Sequence, residues 1–168
     1  TDLGRFVLLQ GVKKYAETWF LARCRELLRR AGILGHVAFS DPCERTTESG
    51  EVVMPGHVGG IYQASNAVFL GRGAASTLLL LPDGTTMSPR ALSKIRNGER
   101  GRGHAIEKLQ RVTGILCGRD VHAWLAAVGK RLRVVRHPGC LKYAFPLDRR
   151  MAKHLPPSLP YLKIRRAA

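Results

Sequence analysis

Between Pro55 and Arg72 the chain reads PGHVGGIYQASNAVFLGR, which brings an imidazole at His57, a phenol at Tyr62 and a carboxamide at Asn66 into one short stretch. These groups can accept a proton, deliver one, and donate and accept hydrogen bonds together, which is the repertoire of acid–base work on a bound ligand. Gly59 and Gly60 let the backbone turn sharply or approach a ligand closely. The residues that follow, IYQASNAVF, read as a short helix running into an apolar stretch. A second acid–base group is Asp41, which precedes Pro42 at the end of an apolar run and so stands where a strand must stop. His57 is also a metal-ligand type, with Asp41 or His36 as conceivable partners, yet no spacing demands a metal.

Two other segments carry anion-binding chemistry. GVKKYAE delivers Gly11, Lys13, Lys14 and Tyr15 to a helix start, where free amides and the positive dipole end suit a phosphate or pyrophosphate; an ordinary strand-to-helix turn with solvated lysines explains the same residues. Further on, Arg96, Arg100 and Arg102 lie in a glycine-interrupted loop suited to phosphate, and Arg72 closes the central stretch.

These groups need a scaffold, and the chain can supply one. It has 168 residues, 28 Lys and Arg against 12 Asp and Glu, a net charge of +16, and is 45% hydrophobic. That composition buries a core and presents a positive surface, which excludes a disordered tail and points to a polyanionic partner, most commonly nucleic acid. The four cysteines, Cys24, Cys43, Cys117 and Cys140, form no CxxC pair and suit a reducing compartment. With no secretory signal and no membrane-length apolar run, the expected location is the cytoplasm.

In chain order, Gly4 to Val12 reads as a buried strand and Lys14 to Arg30 as an amphipathic helix with Phe20, Cys24, Leu27, Leu28 and Ala31 inward. Trp19 is expected in the core. Gly35 to Pro42 reads as a second strand, completing a βαβ unit with Asp41 at a carboxyl end, where parallel strands carry ligands. Residues 43–54 read as an exposed loop that could act as a lid. Leu78 to Leu81 with Pro82, Asp83 and Gly84 reads as a hairpin. Ser88 and Pro89 open a helix ending at Gly98, and a second helix follows through Ile106, Leu109 and Val112. A third runs through Val121, Trp124 and Val128, before two strands joined at His137, Pro138 and Gly139. The expected organisation is one domain over 1–147 and a basic, proline-containing irregular arm over 148–168.

The motif GHVGGIYQASNAVFLGR, with FSDP before it, PDG after it and a late RHPGC, resembles the Mom-type DNA modification proteins of phages, within the GNAT acyltransferase superfamily. The matching positions are Ser40, Asp41 and Pro42; Gly56, His57, Gly59, Ile61, Tyr62, Ala64 and Asn66; Pro82, Asp83 and Gly84; and His137, Pro138 and Gly139, spanning roughly Phe6 to Phe145. Cys140 stands where the family pattern has Asn. The resemblance implies an α/β GNAT-like mixed sheet flanked by helices. Because such folds carry strands and helices ahead of the first strand found here, and the chain starts at Thr1, it implies an N-terminal truncation or a shortened variant.

It further implies a transferase that places a carbamoylmethyl group on adenine N6 to protect phage DNA from restriction, acting in the host cytoplasm. The base would be flipped out or single-stranded, with Tyr62 as the GNAT tyrosine that protonates a departing group. Asp41 would accept a proton or orient the adenine, or serve only as a turn residue, and Asn66 would pair the Watson–Crick edge, or cap a helix turn. The donor, acetyl-CoA or another acyl donor, stays open, as do the DNA sequence preference and the oligomeric state, a homodimer included. Two rival readings remain: a GNAT-type acetyltransferase acting on tRNA or protein, and a non-catalytic basic nucleic-acid-binding protein.

Overall fold

The computed structural model describes residues 2–3, 11–13 and 15–163. In chain order the described elements are β1 (Asp2–Leu3), α1 (Ala16–Arg30), β2 (Gly35–Ser40), β3 (Arg45–Thr46), β4 (Val52–Met54), α2 (Gly60–Ala64), β5 (Val68–Arg72), β6 (Ser76–Leu80), β7 (Thr86–Met87), α3 (Pro89–Arg96), α4 (Gly103–Thr113), α5 (Val121–Gly129), β8 (Arg133–His137), β9 (Leu141–Pro146) and α6 (Arg149–His154). The chain is mixed α/β, as the sequence implies. It divides into two compact units, each built from separated stretches: unit 1 is Thr1–Pro42, His57–Ala74 and Gly139–Ala168, and unit 2 is Cys43–Gly56 and Ala75–Pro138. This division does not follow the expected boundary between 147 and 148.

Unit 1 holds a four-stranded sheet in the order β1-β2-β9-β5. β1 and β2 pair in parallel, while β9 runs antiparallel to both β2 and β5. The expected strand Gly4 to Val12 falls mostly on residues 4–10, which lie outside the described residues. α1 ends in a Schellman motif: Gly32, at φ 74°, donates to the Arg29 carbonyl and Ile33 to that of Leu28. Its inward row differs from the expected one. Leu21 is fully buried and the Arg25 guanidinium lies 4.0 Å over the Phe145 ring, whereas Phe20 and Leu27 are exposed. An arginine in the core-facing row explains the misreading, because a pattern of apolar residues rotates away from it. Trp19 is likewise 63% exposed, with the Arg23 guanidinium 5.7 Å from its ring, so the expectation of a core tryptophan there is corrected.

One sheet face carries the core: Ala38, Phe69, Leu141, Tyr143 and Phe145 pack with Tyr62 and Ala67. Phe69 stacks on Tyr143 at 5.1 Å and His36 on Phe145 at 4.6 Å between ring centres. The other face opens into a cavity of about 610 Å³, whose lining includes Leu34, Val37, Leu70, Lys142, Met151 and Leu155. His36, named as a conceivable metal partner, also lines it, whereas Asp41, His57, Tyr62 and Asn66 do not. The segment from Asp148, expected to be irregular, begins with α6, capped by the Asp148 carboxylate on the amides of Arg150 and Met151. Beyond it the chain runs along β5: Leu159 donates to the Phe69 carbonyl, Ser158 Oγ accepts from the Phe69 amide, and the Tyr161 hydroxyl donates to the Ala67 carbonyl. The edge strand is thereby covered by the chain's own end.

In unit 2, β6 is the central strand of the order β7-β6-β8, and α3, α4 and α5 supply the core with Ile95, Leu109, Trp124 and Val128. Ser88 caps α3 through the Ala91 amide at 3.1 Å with Pro89 at the first position, as its sequence predicts. The Pro82–Gly84 turn also forms as expected: the Asp83 carboxylate accepts from the Thr85 amide and hydroxyl. The strands β8 and β9, expected to follow one another through His137-Pro138-Gly139, do so but enter different sheets. Residues 43–54 are no free lid. They form the β3–β4 hairpin, held by Glu48 N–H to the Pro82 carbonyl, by Arg133 to the Thr46 carbonyl, and by an Arg131–Glu48 ion pair. Gly84 is required there, since a Cβ on it would stand 2.4 Å from a Val53 methyl.

Candidate active site in unit 1

At the carboxyl end of β2 the structure brings together Asp41, Cys140 and the backbone of His57. β2 and β9 are in register with Ser40 opposite Leu141, so Asp41 comes to lie beside Cys140. The Asp41 carboxylate and the Cys140 thiol are within 4.8 Å of one another. From the next stretch of the unit, the His57 amide donates to the Asp41 carbonyl at 2.7 Å. The block GHVGGIYQ is thus tied to the Asp-Pro step by backbone, which follows from the positive φ angles at Gly56 and Gly59 that bend the chain back into α2.

His57 is exposed, and its Nδ1 accepts from the Gly59 amide at 3.3 Å. That bond leaves the proton of a neutral imidazole on Nε2, so His57 presents a donor outward and not a free lone pair.

Tyr62 lies in the core at 6% exposure, tilted against Tyr143 at 5.4 Å and edge-on to Phe145 at 6.2 Å. Burial, with a smaller effect from Tyr143, raises its pKa above the ordinary tyrosine value, so the phenol holds its proton at neutral pH. Its ring is part of the unit 1 core. Tyr143, which the sequence did not single out, donates to the Val58 carbonyl at 2.5 Å and receives Gln63 Nε2 at 3.2 Å; Gln63 also donates to the same carbonyl at 2.9 Å. Burial raises the Tyr143 pKa too. Sequence reasoning did not single out Tyr143 or Gln63, and it noted Cys140 only as a departure from the family pattern. The alternation of KYAF placed Tyr143 on a strand face, but nothing local marked that face as the one meeting Val58 and Gln63.

Asn66 is exposed at φ 58°, two residues past the end of α2, with its amide on the Gln63 carbonyl. It occupies the left-handed position that Asn tolerates better than most residues, so its helix-end reading has a direct structural cause. No described bond ties its side chain to Asp41, His57 or Tyr62.

The expected anion turn is exposed at Gly11, Lys13 and Tyr15, while Lys14 lies outside the described residues. Tyr15 adopts φ 68° at the N-cap of α1 without a side-chain cap, and its carbonyl receives the Thr18 hydroxyl and the Trp19 amide. Arg72 donates to the Gly139 carbonyl at 3.3 Å, so part of its hydrogen-bonding capacity serves unit 1 itself. Next to it, Gly73 donates to the Cys140 carbonyl at 2.8 Å, and a Cβ on Gly139 would lie 2.2 Å from the Gly73 carbonyl oxygen. Only glycine fits that crossing, which explains the glycine of the late motif. Arg96, Arg100 and Arg102 are exposed in unit 2.

No protein-family model, curated protein or solved structure matches the chain. No helix of the described residues is long and apolar enough to cross a membrane.

Proposed function

We propose that unit 1 carries a GNAT-like transferase site that places a carbamoylmethyl group on N6 of adenine in DNA, with the base flipped out or presented single-stranded. The observation that carries this reading is the meeting, at one sheet end, of residues far apart in sequence: Asp41, the segment beginning at His57, and Gly139–Cys140. The Asp41–His57 backbone bond and the Ser40–Leu141 register bring them together. The parallel β1–β2 pair with α1 between its strands supports the GNAT-like form of the sheet. A net charge of +16 favours approach of a polyanion.

The adenine N6 lone pair is shared with the ring, so the amine must be held close to its electrophile and relieved of a proton. In this reading N6 bonds to the donor's electrophilic carbon while the Asp41 carboxylate takes the proton it loses. The bond to the leaving group breaks with its electron pair, and the Tyr62 phenol, kept protonated by burial, supplies that group with a proton. His57 orients the substrate through Nε2–H, and Asn66 pairs the adenine edge. The donor stays open: moving a carbamoylmethyl group requires a leaving group on its methylene carbon, which acetyl-CoA does not carry, and Gly11, Lys13, Lys14 and Tyr15 are the residues proposed to meet it. Arg72, Arg96, Arg100 and Arg102 meet DNA phosphates.

The deep burial of Tyr62 favours one rival, a nucleic-acid-binding protein whose tyrosine only packs. Expression of the chain in a host, followed by mass spectrometry of its nucleosides, separates the two. Modified adenine that disappears in Asp41→Asn supports the transferase, and product unchanged in that variant sinks the assigned roles. Labelled donor offered with DNA, tRNA and protein side by side tests the substrate class.

A further inference from the structure

The arginines that sequence reading grouped in one loop take different places in unit 2. Arg96 sits at the end of α3 and lines an apolar dent with Leu92 and Leu125. Arg102 instead faces a separate notch of about 240 Å³, whose lining includes Ser88, Arg90, Lys94, Gly101 and His104. The helical period accounts for the division: Arg90 and Lys94 are four residues apart and share one face of α3, and Arg96 lies on another. The reversal between α3 and α4 then brings the first residues of α4 against that face.

Two details give the notch a defined shape. Gly98 has φ 69°, a left-handed conformation that favours glycine, and Arg102 folds back over it, its Nη1 standing 2.7 Å from where a Cβ would be. Arg90 is held by Glu99 at 2.7 and 3.3 Å, and Glu99 also receives Asn97 Nδ2 at 3.3 Å. The acid nearest the notch is thereby engaged. Lys94 and Arg102 have no ion-pair or side-chain hydrogen-bond partner among the described residues, and residues 75–138 contain 12 Lys and Arg against 4 Asp and Glu.

We propose that this notch clamps a backbone phosphodiester of nucleic acid, with Arg102 supplying a planar fork and Lys94 a point charge. The contact is sequence-independent: it positions the strand and reads no base. A membrane headgroup is disfavoured, since none of the large exposed apolar residues of unit 2, Leu116, Val134 and Val135 among them, lines the notch. The proposal rests on the reading of DNA as substrate, and extends it to a part of the chain separate from the candidate reactive groups.

The test is equilibrium binding of two unrelated fluorescent DNA duplexes to the full chain across a potassium chloride series, without donor. The double variant Lys94→Gln/Arg102→Gln is compared with a control of equal charge change, Arg111→Gln/Arg119→Gln. The notch variant should lower the slope of log affinity against log salt by about 1 to 2, and weaken both duplexes alike, on the order of tenfold at low salt. A slope unchanged in the notch variant, or reduced equally in the control, overturns the clamp. So does loss of binding to phosphatidylserine vesicles with DNA binding intact. Failure of the wild-type chain to bind either duplex would instead remove the reading of DNA as substrate.

Discussion

Gly59 lies against the ring of Tyr143 so closely that a Cβ on the glycine would stand 2.7 Å from Tyr143 Cε2 and 2.9 Å from Tyr62 Cδ2. Its φ of 72° adds a second reason for glycine. The sequence suggested that this glycine brings backbone near a ligand; it brings backbone near two tyrosines. Gly59→Ala combines a left-handed backbone cost of about 1–2 kcal/mol with overpacking of about 1–3 kcal/mol. Urea denaturation should show a loss within that combined range, together with loss of any transferase product.

Tyr62→Phe keeps the ring that packs on Tyr143 and Phe145 and removes only the hydroxyl. Stability should change by less than about 1.5 kcal/mol. If the phenol delivers a proton, modified adenine should vanish from nucleoside mass spectra although the variant melts near the wild type. Product at the wild-type level would leave Tyr62 a packing residue.

His36 is 6% exposed, and burial, followed by the charge of Arg25, holds its pKa below the ordinary histidine value. The fold therefore favours the neutral imidazole. Its contribution is full above about pH 6.5, where the unfolded residue is also neutral, and is lost as pH falls through the depressed folded value. The unfolding midpoint in urea should decline as pH drops below that point, and His36→Phe should flatten the decline.

Arg25 has Nε and Nη2 shielded from solvent without a hydrogen-bond partner among the described residues, above the Phe145 ring. Burial lowers its pKa, which is the mark of a charge held at a cost. Arg25→Met retains an apolar stem over Phe145 and removes the charge, so thermal stability should hold or rise. Arg25→Ala, which loses the stem, should fall below it. The Met variant should also lessen the acid sensitivity assigned to His36, because a neighbouring positive charge is gone.

Deleting residues 156–168 should uncover the amide and carbonyl of Phe69 and the carbonyl of Ala67, which the tail now occupies. Stability should fall by about 2–3 kcal/mol at roughly 1 kcal/mol per bond. Light scattering should register concentration-dependent association through the open strand edge. A monomeric truncation of unchanged stability would contradict both expectations.

Local signals gave the elements that caps and turns define. Ser88-Pro89 opened a helix, Pro82-Asp83-Gly84 made a turn, and Gly32 closed α1, each because the deciding interaction lies within a few residues. The errors share a physical cause: a distant partner decided the outcome. Arg25 turned inward because Phe145 offered a ring, residues 43–54 became a hairpin because Gly84 and Arg133 received it, and the C-terminal segment became ordered along β5. The same applies to the site. Asp41, His57 and Tyr62 were legible by type, but Tyr143 and Cys140 emerged only once the β2–β9 register was known.

Both excursions that form unit 2 leave unit 1 and return at backbone-bonded pairs, Asp41 with His57 and Gly73 with Cys140. The posts of each excursion are already joined within unit 1, so either could be shortened to a tight link without moving the ends apart. Unit 2 is in that sense a cassette. A lineage, or an engineer, could exchange it while Asp41, His57 and Cys140 stay on the framework that holds them.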